Sequence, residues 1–571
     1  MRGSRQLWGK KSGMVLFLCL ALVAGAAMPA NATLRARWRS SSPNAKWVDE
    51  TDLTWATYTS QANEIVLDTS VKYQVIAGWG GSPNEVGMVA LHTLPQALQD
   101  SVVRALFDTV TGCKFNMIRL PIGCSDFSLN GYSLDDSVGV NFGTYADYQM
   151  NNINIEREKP MNLAFIKKAL VSNPGIKVWG SPWTAPAWMK KNKAWFGGNP
   201  VPATDCELIQ DTSIFRSYAL YFSKAVTLYK NYGIPFFALA FQNEPYTCQP
   251  FPSMIWPTGV KMRDFMKNYL APRMQADHPD VQLWTPTMNL NDTNMFIPML
   301  RDTYTDTVIK ACCFQYQGKD VIAYIHSKFP TLPLYATELQ CGGGDNTWDY
   351  PMSQTFPDIK YYISNGGVGA MQWNLILEKN GRAGYNWNWS QNSMITMDTV
   401  AKTITLTSQY YCLKHISAYL RPGSKLLNVT GNFAANEIAT KNPNDGSIGV
   451  VAMNNSTNVT PVAIRLGTQM VKATMPAQSF ASFRIWDDAV NALPAARQYE
   501  PLPSSRTLKI AGDKFELPGE FAGTRTMCSV YNLQGKLMRE LIVSNGVVSL
   551  SRDLGISQGV YLVRMRALAR L

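Results

Sequence analysis

The chain has 571 residues, of which 46% are hydrophobic, 11% aromatic and 16% charged. A disordered chain carries more charge and far fewer aromatic side chains, so this composition indicates a globular protein. At roughly 100–200 residues per domain, the length predicts two to four domains, or one large barrel with attachments. Most of the net charge of +12 lies in the first 11 residues and in residues 506–570. The body of the chain is nearly neutral, which disfavours nucleic acid as a partner.

The N-terminus has the pattern of an export signal. Four basic residues precede the apolar run Gly13–Ala27, and the small-residue site Ala30-Asn31-Ala32 follows. This order is typical of a secretory signal peptide. A membrane anchor is the alternative, but the run is shorter than the ~20 residues needed to span a bilayer. We therefore predict that residues 1–32 are a signal peptide cleaved near Ala32, and that the protein is secreted or held at the cell surface.

Nine cysteines remain after removal of the signal peptide, so at least one is unpaired within the chain. No CxxC pair and no Cys/His spacing typical of a metal site is present. Cys206 and Cys248 flank a proline-rich, loop-like stretch, and an oxidising compartment would allow a disulfide between them. Cys312 and Cys313 lie inside an apolar run and are predicted to be buried packing residues.

Eight short apolar runs alternate with longer, mostly amphipathic segments through the middle of the chain. The runs are Gln74–Gly80, Lys114–Ile122, Lys177–Trp183, Phe237–Pro245, Val281–Thr287, Val308–Tyr316, Pro333–Leu339 and Gly369–Leu375. Apolar strands separated by helices indicate a parallel sheet. Eight such units predict an α/β fold, a (β/α)8 TIM barrel over residues 71–403. A doubly wound sheet is the alternative, but no glycine-rich phosphate loop follows the first strand.

Sequence on both sides of the barrel reads as β structure. Residues 33–70 and 404–486 carry short strand-like patterns, and the second stretch is predicted to be an all-β region packed beside the barrel. Residues 487–505 are rich in proline, alanine and serine, which is typical of a linker. The remaining residues, 506–571, again alternate as strands and predict a small C-terminal β domain.

Chemistry in such a barrel is expected at the C-terminal ends of the strands. Two of the predicted strands end in a glutamate, Glu244 or Glu338, and Trp79, Trp183 and Trp373 lie at the ends of three others. Glycoside hydrolysis needs a pair of carboxyl groups, and tryptophan faces stack against sugar rings. None of the four histidines lies at a strand end, so a Ser-His-Asp triad or a histidine zinc site lacks its parts. We predict no cofactor, while a calcium ion held by loop oxygens stays open.

At this point the sequence resembles glycoside hydrolase family 30, in particular its glucosylceramidase-like branch. The resemblance runs from about Val71 to Trp486. The matching stretches are Gly78–Gly81 (GWGG), Arg119–Ser128 (RLPIGCSDFS), Phe142–Arg157, Ser181–Lys190 (SPWTAPAWMK), Gln242–Pro245 (QNEP), Thr337-Glu338 and Gln372–Leu375 (QWNL). Each piece alone is weak, but this number of pieces in family order is a strong signal.

The resemblance implies a retaining β-glycosidase, built as a (β/α)8 barrel with a β-sandwich contributed by both flanks. It implies that Glu244 is the general acid/base and Glu338 the nucleophile. Asn243 would hydrogen-bond the 2-hydroxyl of the sugar. The carbohydrate partner would be a β-glucan, a xylan-like polysaccharide or a glycolipid, and the glucosylceramidase-like branch favours a β-glucosyl unit in the terminal subsite.

The resemblance also implies a terminal sugar subsite. Asp126, Trp183 and Trp373 would bind the non-reducing sugar, and Arg119 would support the carboxylates from below. Where many family members carry His-Trp-Tyr after the sixth strand, this chain reads Phe314-Gln315-Tyr316. Tyr316 is kept and can contact the nucleophile, whereas the two changed residues alter the rim. Lys190, in the loop after the third strand, is expected either to contact substrate or to be exposed.

Two alternatives stay open at this stage. One is a non-catalytic carbohydrate-binding protein on a degenerate barrel, and another is a xylan-directed hydrolase of the same family. The last ~65 residues resemble, more weakly, the C-terminal sorting domains of proteins exported by the type IX system, on the cues Val530–Lys536 and Gly559–Arg564. That resemblance implies a secretion machinery as a partner. An ordinary small β-sandwich, with or without carbohydrate binding, is the alternative.

Overall fold

The computed structural model of the protein describes residues 34–136, 146–197, 203–246, 248–384, 389–488, 506–516, 526–532, 537–543, 547–557 and 559–567. The predicted signal peptide and nearly all of the predicted linker lie outside the described residues. The chain divides into two compact units, one ending at Asp487 and the other beginning at Asp488. Within the described ranges, no helix has the length and apolar character needed to cross a membrane.

The predicted (β/α)8 barrel is confirmed. Four strands precede the barrel in the chain and belong to the accessory sheet described below. They are β1 Leu34–Ser41, β2 Val48–Asp49, β3 Ala56–Thr57 and β4 Glu64–Val75. The barrel strands are β5 Gly78–Ser82, β6 Met117–Pro121, β7 Lys177–Ser181, β8 Phe236–Ala240, β9 Gln282–Met288, β10 Ile309–Gln315, β11 Leu334–Leu339 and β12 Gly367–Asn374. They close in the order β5 to β12, with β12 pairing β5, and each pair is parallel.

Helices cover the outside of this barrel. They are α1 Glu85–His92, α2 Gln96–Phe107, α3 Ala164–Ser172, α4 Thr212–Asn231, α5 Gly259–Phe265, α6 Ala271–Asp277, α7 Thr293–Arg301, α8 Thr305–Val308, α9 Ile322–Lys328 and α10 Phe356–Ser364. The longest, α4, begins where the Asp211 side chain accepts a hydrogen bond from the Ser213 amide, which satisfies a free N–H of the first turn. The apolar sides of the helices and strands form one continuous core.

Side chains along each barrel strand alternate between the outer core and the barrel interior. On β6, Met117 belongs to the interior cluster and Ile118 to the outer core. Aromatic side chains fill the middle of the barrel: Trp284 lies 5.2 Å from Trp179 and stacks on Tyr335 at 4.7 Å between ring centroids. The interior is therefore packed, and the polar side chains beyond this layer stand on a hydrophobic floor.

The accessory sheet joins both flanks of the barrel. After β13 Ile376–Glu378, β14 Ile395–Asp398, β15 Thr403–Leu406 and helix α11 Ser408–Tyr419 come β16 Lys425–Thr430, β17 Glu437–Lys441, β18 Ile448–Asn454, β19 Thr460–Leu466, β20 Gln469–Met475 and β21 Ser479–Asp487. Strands β1 to β4 and β16 to β21 form one ten-stranded sheet with a core of its own. Strand β1 pairs along its whole length with β21, so the N-terminal segment completes this sheet.

Two predicted boundaries of the barrel are corrected. Residues 71–75 belong to β4 of the accessory sheet, and the first barrel strand begins at Gly78. Helix α11, inside the segment predicted to be all β, packs its Cys412, Leu413 and Ile416 into the barrel core. The helical part of the catalytic unit therefore extends beyond residue 403.

The second unit is a small β structure with its own hydrophobic core. Its elements are β22 Arg506–Gly512, β23 Lys514–Glu516, β24 Thr526–Tyr531, β25 Leu537–Val543, β26 Val547–Ser549, α12 Leu550–Leu554 and β27 Gly559–Ala567. Strands β22, β27, β24 and β25 form an antiparallel sheet in that order.

Candidate active site

Glu338 lies near the C-terminal end of β11, with its side chain 6% exposed. Arg119 Nη1 donates to its Oε2 at 2.6 Å, and the Tyr316 hydroxyl donates to its Oε1 at 2.7 Å. Both carboxylate oxygens therefore have a close donor, one of them permanently charged. Hydrogen bonds of this kind stabilise an ionised carboxylate in a buried place.

Glu244 follows β8 by four residues and is half-buried. Its backbone amide donates to the Thr287 carbonyl at 3.1 Å, which fixes it against the end of β9. The Gln315 amide donates to Glu244 Oε1 at 3.0 Å. Burial, and then the negative charge of Glu338, raise the pKa of Glu244 to about 7, while the bond from Gln315 opposes the shift. A carboxyl group in this environment holds a proton at mildly acidic pH.

Arg119 connects the parts of the site from inside the barrel. Besides Glu338, it donates to Asn243 Oδ1 at 2.6 Å and to Ser181 Oγ at 3.1 Å. Its guanidinium lies 4.6 Å from the ring of Trp183. The Arg119 side chain is fully buried, and its guanidinium carries five N–H donors in one plane. It therefore holds the side chains of Glu338 and Asn243 in a fixed relative geometry.

Two tryptophans form an aromatic wall next to the carboxylates. Trp183 and Trp373 stack at 4.7 Å between ring centroids, and Phe127 meets Trp373 edge-on at 6.2 Å. Neither Trp373 Nε1 nor Asp126 Oδ1 has a hydrogen-bond partner, although both atoms are buried. Buried polar atoms in proteins are nearly always satisfied, so a donor and an acceptor left open here point to a polar ligand.

Asp126 is part of the same electrostatic neighbourhood. Burial raises its pKa well above the ordinary value, and the charges of Glu338 and Glu244 raise it further. The structure thus brings together the eight residues to which the family resemblance gave a catalytic or substrate-binding role: Arg119, Asp126, Trp183, Asn243, Glu244, Tyr316, Glu338 and Trp373.

Backbone strain marks two of these positions. Glu244 has a φ of 43° and Tyr316 a φ of 47°, in the left-handed region that non-glycine residues rarely adopt. Such conformations cost about 1–3 kcal/mol each and persist only where the surroundings enforce them. Here the conformation directs the acid/base candidate and the hydroxyl donor toward the same point.

Three supporting residues were not predicted from the sequence. Gln315 donates to both Asn243 and Glu244, Thr287 donates to Asn243 Oδ1 at 2.9 Å, and Ser181 accepts from Arg119. Gln315 and Thr287 are both at the ends of predicted strands, which was the available signal. The sequence alone gave no reason to prefer them over other polar residues there.

Some expectations for individual residues are wrong. Trp79 lies in the outer core and donates to the Leu420 carbonyl, so it is not part of the site. Lys190 neither is exposed nor faces the site: it is fully buried and donates to the carbonyls of Trp195 and Ser253. Trp256 and Trp284 are core residues.

The disulfide expected between Cys206 and Cys248 is present. It joins the loop after β7 to the loop after β8, the two loops that Lys190 also connects. Cys312 and Cys313 are buried thiols, as predicted. Within the described residues, no group of three or more His, Cys, Asp and Glu side chains is arranged to hold a metal ion.

The sequence matches the profile of the glycosyl hydrolase family 30 TIM-barrel domain over residues 76–420. Because the match covers more than half of the chain, the protein belongs to this family, whose members hydrolyse O-glycosyl bonds.

Two curated relatives and one solved structure illustrate the breadth of the family. The lysosomal acid glucosylceramidase of Mus musculus is 26% identical, over 70% of this chain and 79% of its own length. The endo-1,6-beta-D-glucanase of Neurospora crassa is 25% identical, over 67% of this chain and 80% of its own. The crystal structure of SrfJ from Salmonella typhimurium superposes with a TM-score of 0.70 at 22% identity, covering 79% of this chain and 99% of SrfJ.

Proposed function

We propose that the protein is a retaining β-glycoside hydrolase that acts by double displacement on β-glucosyl units. The observation that carries this proposal is the contrast between its two glutamates. Both oxygens of Glu338 accept hydrogen bonds, one from a guanidinium and one from a hydroxyl, whereas the pKa of Glu244 is raised to about 7. One carboxylate and one carboxylic acid flanking a sugar site are the parts that the reaction requires.

In the first displacement, a Glu338 oxygen attacks the anomeric carbon while Glu244 donates its proton to the leaving oxygen. The bond from sugar to leaving group breaks, and a glycosyl ester forms on Glu338. Asn243, held through its Oδ1 by Arg119 and Thr287, has its amide N–H groups available for the 2-hydroxyl of the sugar. A hydrogen bond there strengthens as positive charge develops at the anomeric centre.

In the second displacement, the Glu244 carboxylate removes a proton from water, and the water oxygen attacks the anomeric carbon. Glu338 leaves as a carboxylate, stabilised again by Arg119 and Tyr316. Two inversions at one carbon return the β configuration. Each glutamate ends in the protonation state in which it began, so the cycle needs no cofactor.

The substrate proposal rests on the relatives and the aromatic wall. The names of two relatives, a glucosylceramidase and an endo-1,6-beta-D-glucanase, both refer to glucose units in the substrate. Trp183, Trp373 and the open atom of Asp126 offer a stacking face and a hydroxyl partner for such a unit. We favour a polysaccharide over a lipid as the substrate, because the chain carries a predicted export signal and a C-terminal segment that resembles a sorting domain.

Azide rescue tests the two roles. In Glu244→Ala, a dinitrophenyl glucoside should still form the glycosyl-enzyme, because its leaving group departs without a proton, and azide should then yield the β-glucosyl azide. In Glu338→Ala, azide should occupy the vacated nucleophile position and yield the α-azide. A β-azide from the Glu338 variant, or no rescue in either variant, would overturn the assignment.

A substrate panel tests the sugar. We expect turnover of an aryl β-glucoside and of β-1,6-glucan, with less on an aryl β-xyloside and on xylan. Faster turnover of xylan would favour the xylan-directed alternative. No turnover on any of these substrates, with binding retained, would favour a carbohydrate-binding protein instead.

Export belongs to the same proposal. The basic start, the apolar run and the small-residue site support cleavage near Ala32. Sequencing the N-terminus of the mature protein tests this: a first residue within a few positions of Thr33 is expected, and an intact Met1 on an intracellular protein would contradict it.

A further inference from the structure

A second cavity lies at the other end of the barrel from the catalytic glutamates. It is lined by the loop before β6, by the end of α11 and by the hairpin between β17 and β18. Its volume is about 350 Å³, within the range of ~300–1,000 Å³ typical of small-molecule sites. Because the barrel strands are parallel, the loop before β6 is at their N-terminal ends, so this barrel-floor cavity is separate from the active site.

Four cationic side chains line the barrel-floor cavity: Arg39, Lys114, Arg421 and Arg484. Asp445 is the one acidic residue among its lining residues. Two of the cations have ion-pair partners, Arg39 with Asp49 and Arg484 with Asp445, the latter at 3.4 Å.

Lys114 and Arg421 lack such partners. Across the described part of the chain, neither has a carboxylate at ion-pair distance, and Arg421 makes one long hydrogen bond, to the Ser417 carbonyl at 3.4 Å. Asp108 attracts Lys114 only from farther away, because its side chain accepts bonds from Val110 and Thr111 in its own turn. Two half-buried cations therefore face a polar cavity without an anion to neutralise them.

The environment of Lys114 shows the cost of this arrangement. Burial, followed by repulsion from Arg421 and Arg39, lowers the pKa of Lys114 to about 8, and burial also lowers that of Arg421. The lysine has a φ of 59°, a conformation unfavourable for a side chain of this kind. Like charges gathered in a partly desolvated place destabilise the fold unless a ligand of opposite charge binds there.

We propose that the barrel-floor cavity binds a tetrahedral oxyanion, phosphate or sulfate, free or as the ester group of a sugar. Lys114 and Arg421 would donate directly to its oxygens, and Arg39 and Arg484 would add long-range attraction. Guanidinium and ammonium donors toward one oxyanion form the strong, charge-assisted class of hydrogen bonds.

Calorimetry and thermal unfolding of the full chain in phosphate-free buffer test the proposal. We expect phosphate and sulfate to bind saturably and to raise the melting temperature beyond sodium chloride of equal ionic strength. Glucose 6-phosphate and glucose 6-sulfate, compared with inorganic phosphate and sulfate, identify the source: tighter binding of the esters assigns the site to a charged sugar, and tighter binding of the free ions to an inorganic anion.

Two variants locate the site, and a third is the control. Lys114→Asn and Arg421→Gln should each weaken anion binding at least about tenfold. Lys402→Asn should leave it unchanged: Lys402 is exposed in the turn between β14 and β15 and has a φ of 55°, so it matches Lys114 in charge and backbone. Without anion, Lys114→Asn should melt no lower than the wild type, because it removes an unneutralised cation.

Three results would overturn the proposal. One is the absence of any effect of phosphate or sulfate beyond that of chloride. Another is anion binding of full strength in both Lys114→Asn and Arg421→Gln. The third is binding of neutral glucose as tight as that of its phosphate ester, which would make the cavity a site for uncharged sugar.

Discussion

Gln315 controls how strong an acid Glu244 is. Its amide donates a hydrogen bond to Glu244 Oε1, and this bond favours the carboxylate over the acid. Glu244 must be protonated to assist departure of an ordinary leaving group, so activity should fall as the pH rises through about 7. Gln315→Ala removes a bond to the charged form, and the basic limb of kcat/KM should therefore move upward by about one pH unit.

The leaving group and a second variant control this experiment. The dinitrophenolate of a dinitrophenyl glucoside departs without a proton. With this substrate, the basic limb of the kcat/KM profile should therefore be weak in the wild type and insensitive to Gln315→Ala. Gln96→Ala, an exposed glutamine of α2, should change neither profile. A limb that stays in place in Gln315→Ala would mean that another group sets it.

Asp126 is expected to bind one hydroxyl of the terminal sugar. Its buried Oδ1 has no hydrogen-bond partner among the described residues. An enzyme site built to hydrogen-bond a substrate hydroxyl can lose about 10⁴-fold in kcat/KM when that bond is broken. Asp126→Ala should therefore lower kcat/KM for an aryl β-glucoside by at least about 100-fold.

Deoxyglucosides identify the hydroxyl and separate binding from misfolding. For the substrate that lacks the partner of Asp126, the wild type and Asp126→Ala should have similar kcat/KM, since neither can form the bond. For the other deoxyglucosides the gap should persist. An equal loss on every deoxyglucoside would mean that Asp126 supports the fold of the site instead.

For individual residues, the sequence predicted which side chains lie at strand ends but few of the contacts between those side chains. Glu244, Glu338, Trp183 and Trp373 were accessible because a parallel barrel places strand ends together. The contacts of Gln315 with Asn243 and Glu244 depend on distances between neighbouring strands, about which the chain order says nothing. The burial of Lys190 was missed for the same reason, since its partners lie in two separate loops.

Among the elements, α11 shows where pattern reading fails. Helices are recognised by one apolar face, yet α11 lies between the barrel and the accessory sheet and is buried on most sides, including Gln409, Lys414 and His415. With aromatic and polar residues mixed around its circumference, it has the period of neither a surface helix nor a strand. Helix α4, in contrast, has one buried side and one solvent-facing side, which is the amphipathic pattern by which helices are recognised.

Lys190 should decide how firmly the two loops beyond β7 and β8 are held. Its Nζ donates at 3.1 Å and 2.7 Å to carbonyls in these loops, at Trp195 and Ser253. Lys190→Met keeps the bulk and leaves both carbonyls without this donor, at a cost of about 1–3 kcal/mol for each buried group. Amide hydrogen exchange in these loops should accelerate, while exchange in the barrel strands stays unchanged.

The pH dependence gives a second measurement. Burial lowers the pKa of Lys190 from its ordinary 10.5 to about 7. Between these values the unfolded chain binds more protons than the folded one, so this residue makes stability rise with pH from about 7 to 10.5. The rise should be absent in Lys190→Met and present in Lys191→Met, whose lysine is exposed and pairs with Glu207. The same slope in both variants would contradict the role of Lys190.

The whole chain combines a catalytic unit with a second, separately folded one. In the catalytic unit, β1 and β4 from before the barrel pair with β21 and β16 from after it, so the accessory sheet cannot form from one flank alone. The strand patterns predicted β structure on both flanks, and the family resemblance implied that the two flanks join. The register of this pairing, and the cations that meet at the barrel-floor cavity, follow only from the assembled structure.

Removal of Thr507–Leu571 should leave catalysis intact and change where the protein accumulates. The segment belongs to a unit with its own hydrophobic core, around Cys528 and Val563. None of the described residues of the segment belongs to the core of the barrel. We therefore expect unchanged kcat/KM and an unchanged melting transition of the catalytic unit, measured on purified full-length and truncated protein. In a host with a type IX system, fractionation should show the truncated protein retained inside the cell. Loss of soluble, active enzyme would mean that the segment is part of the catalytic fold, and unchanged export with lost retention on polysaccharide would identify a carbohydrate-binding domain.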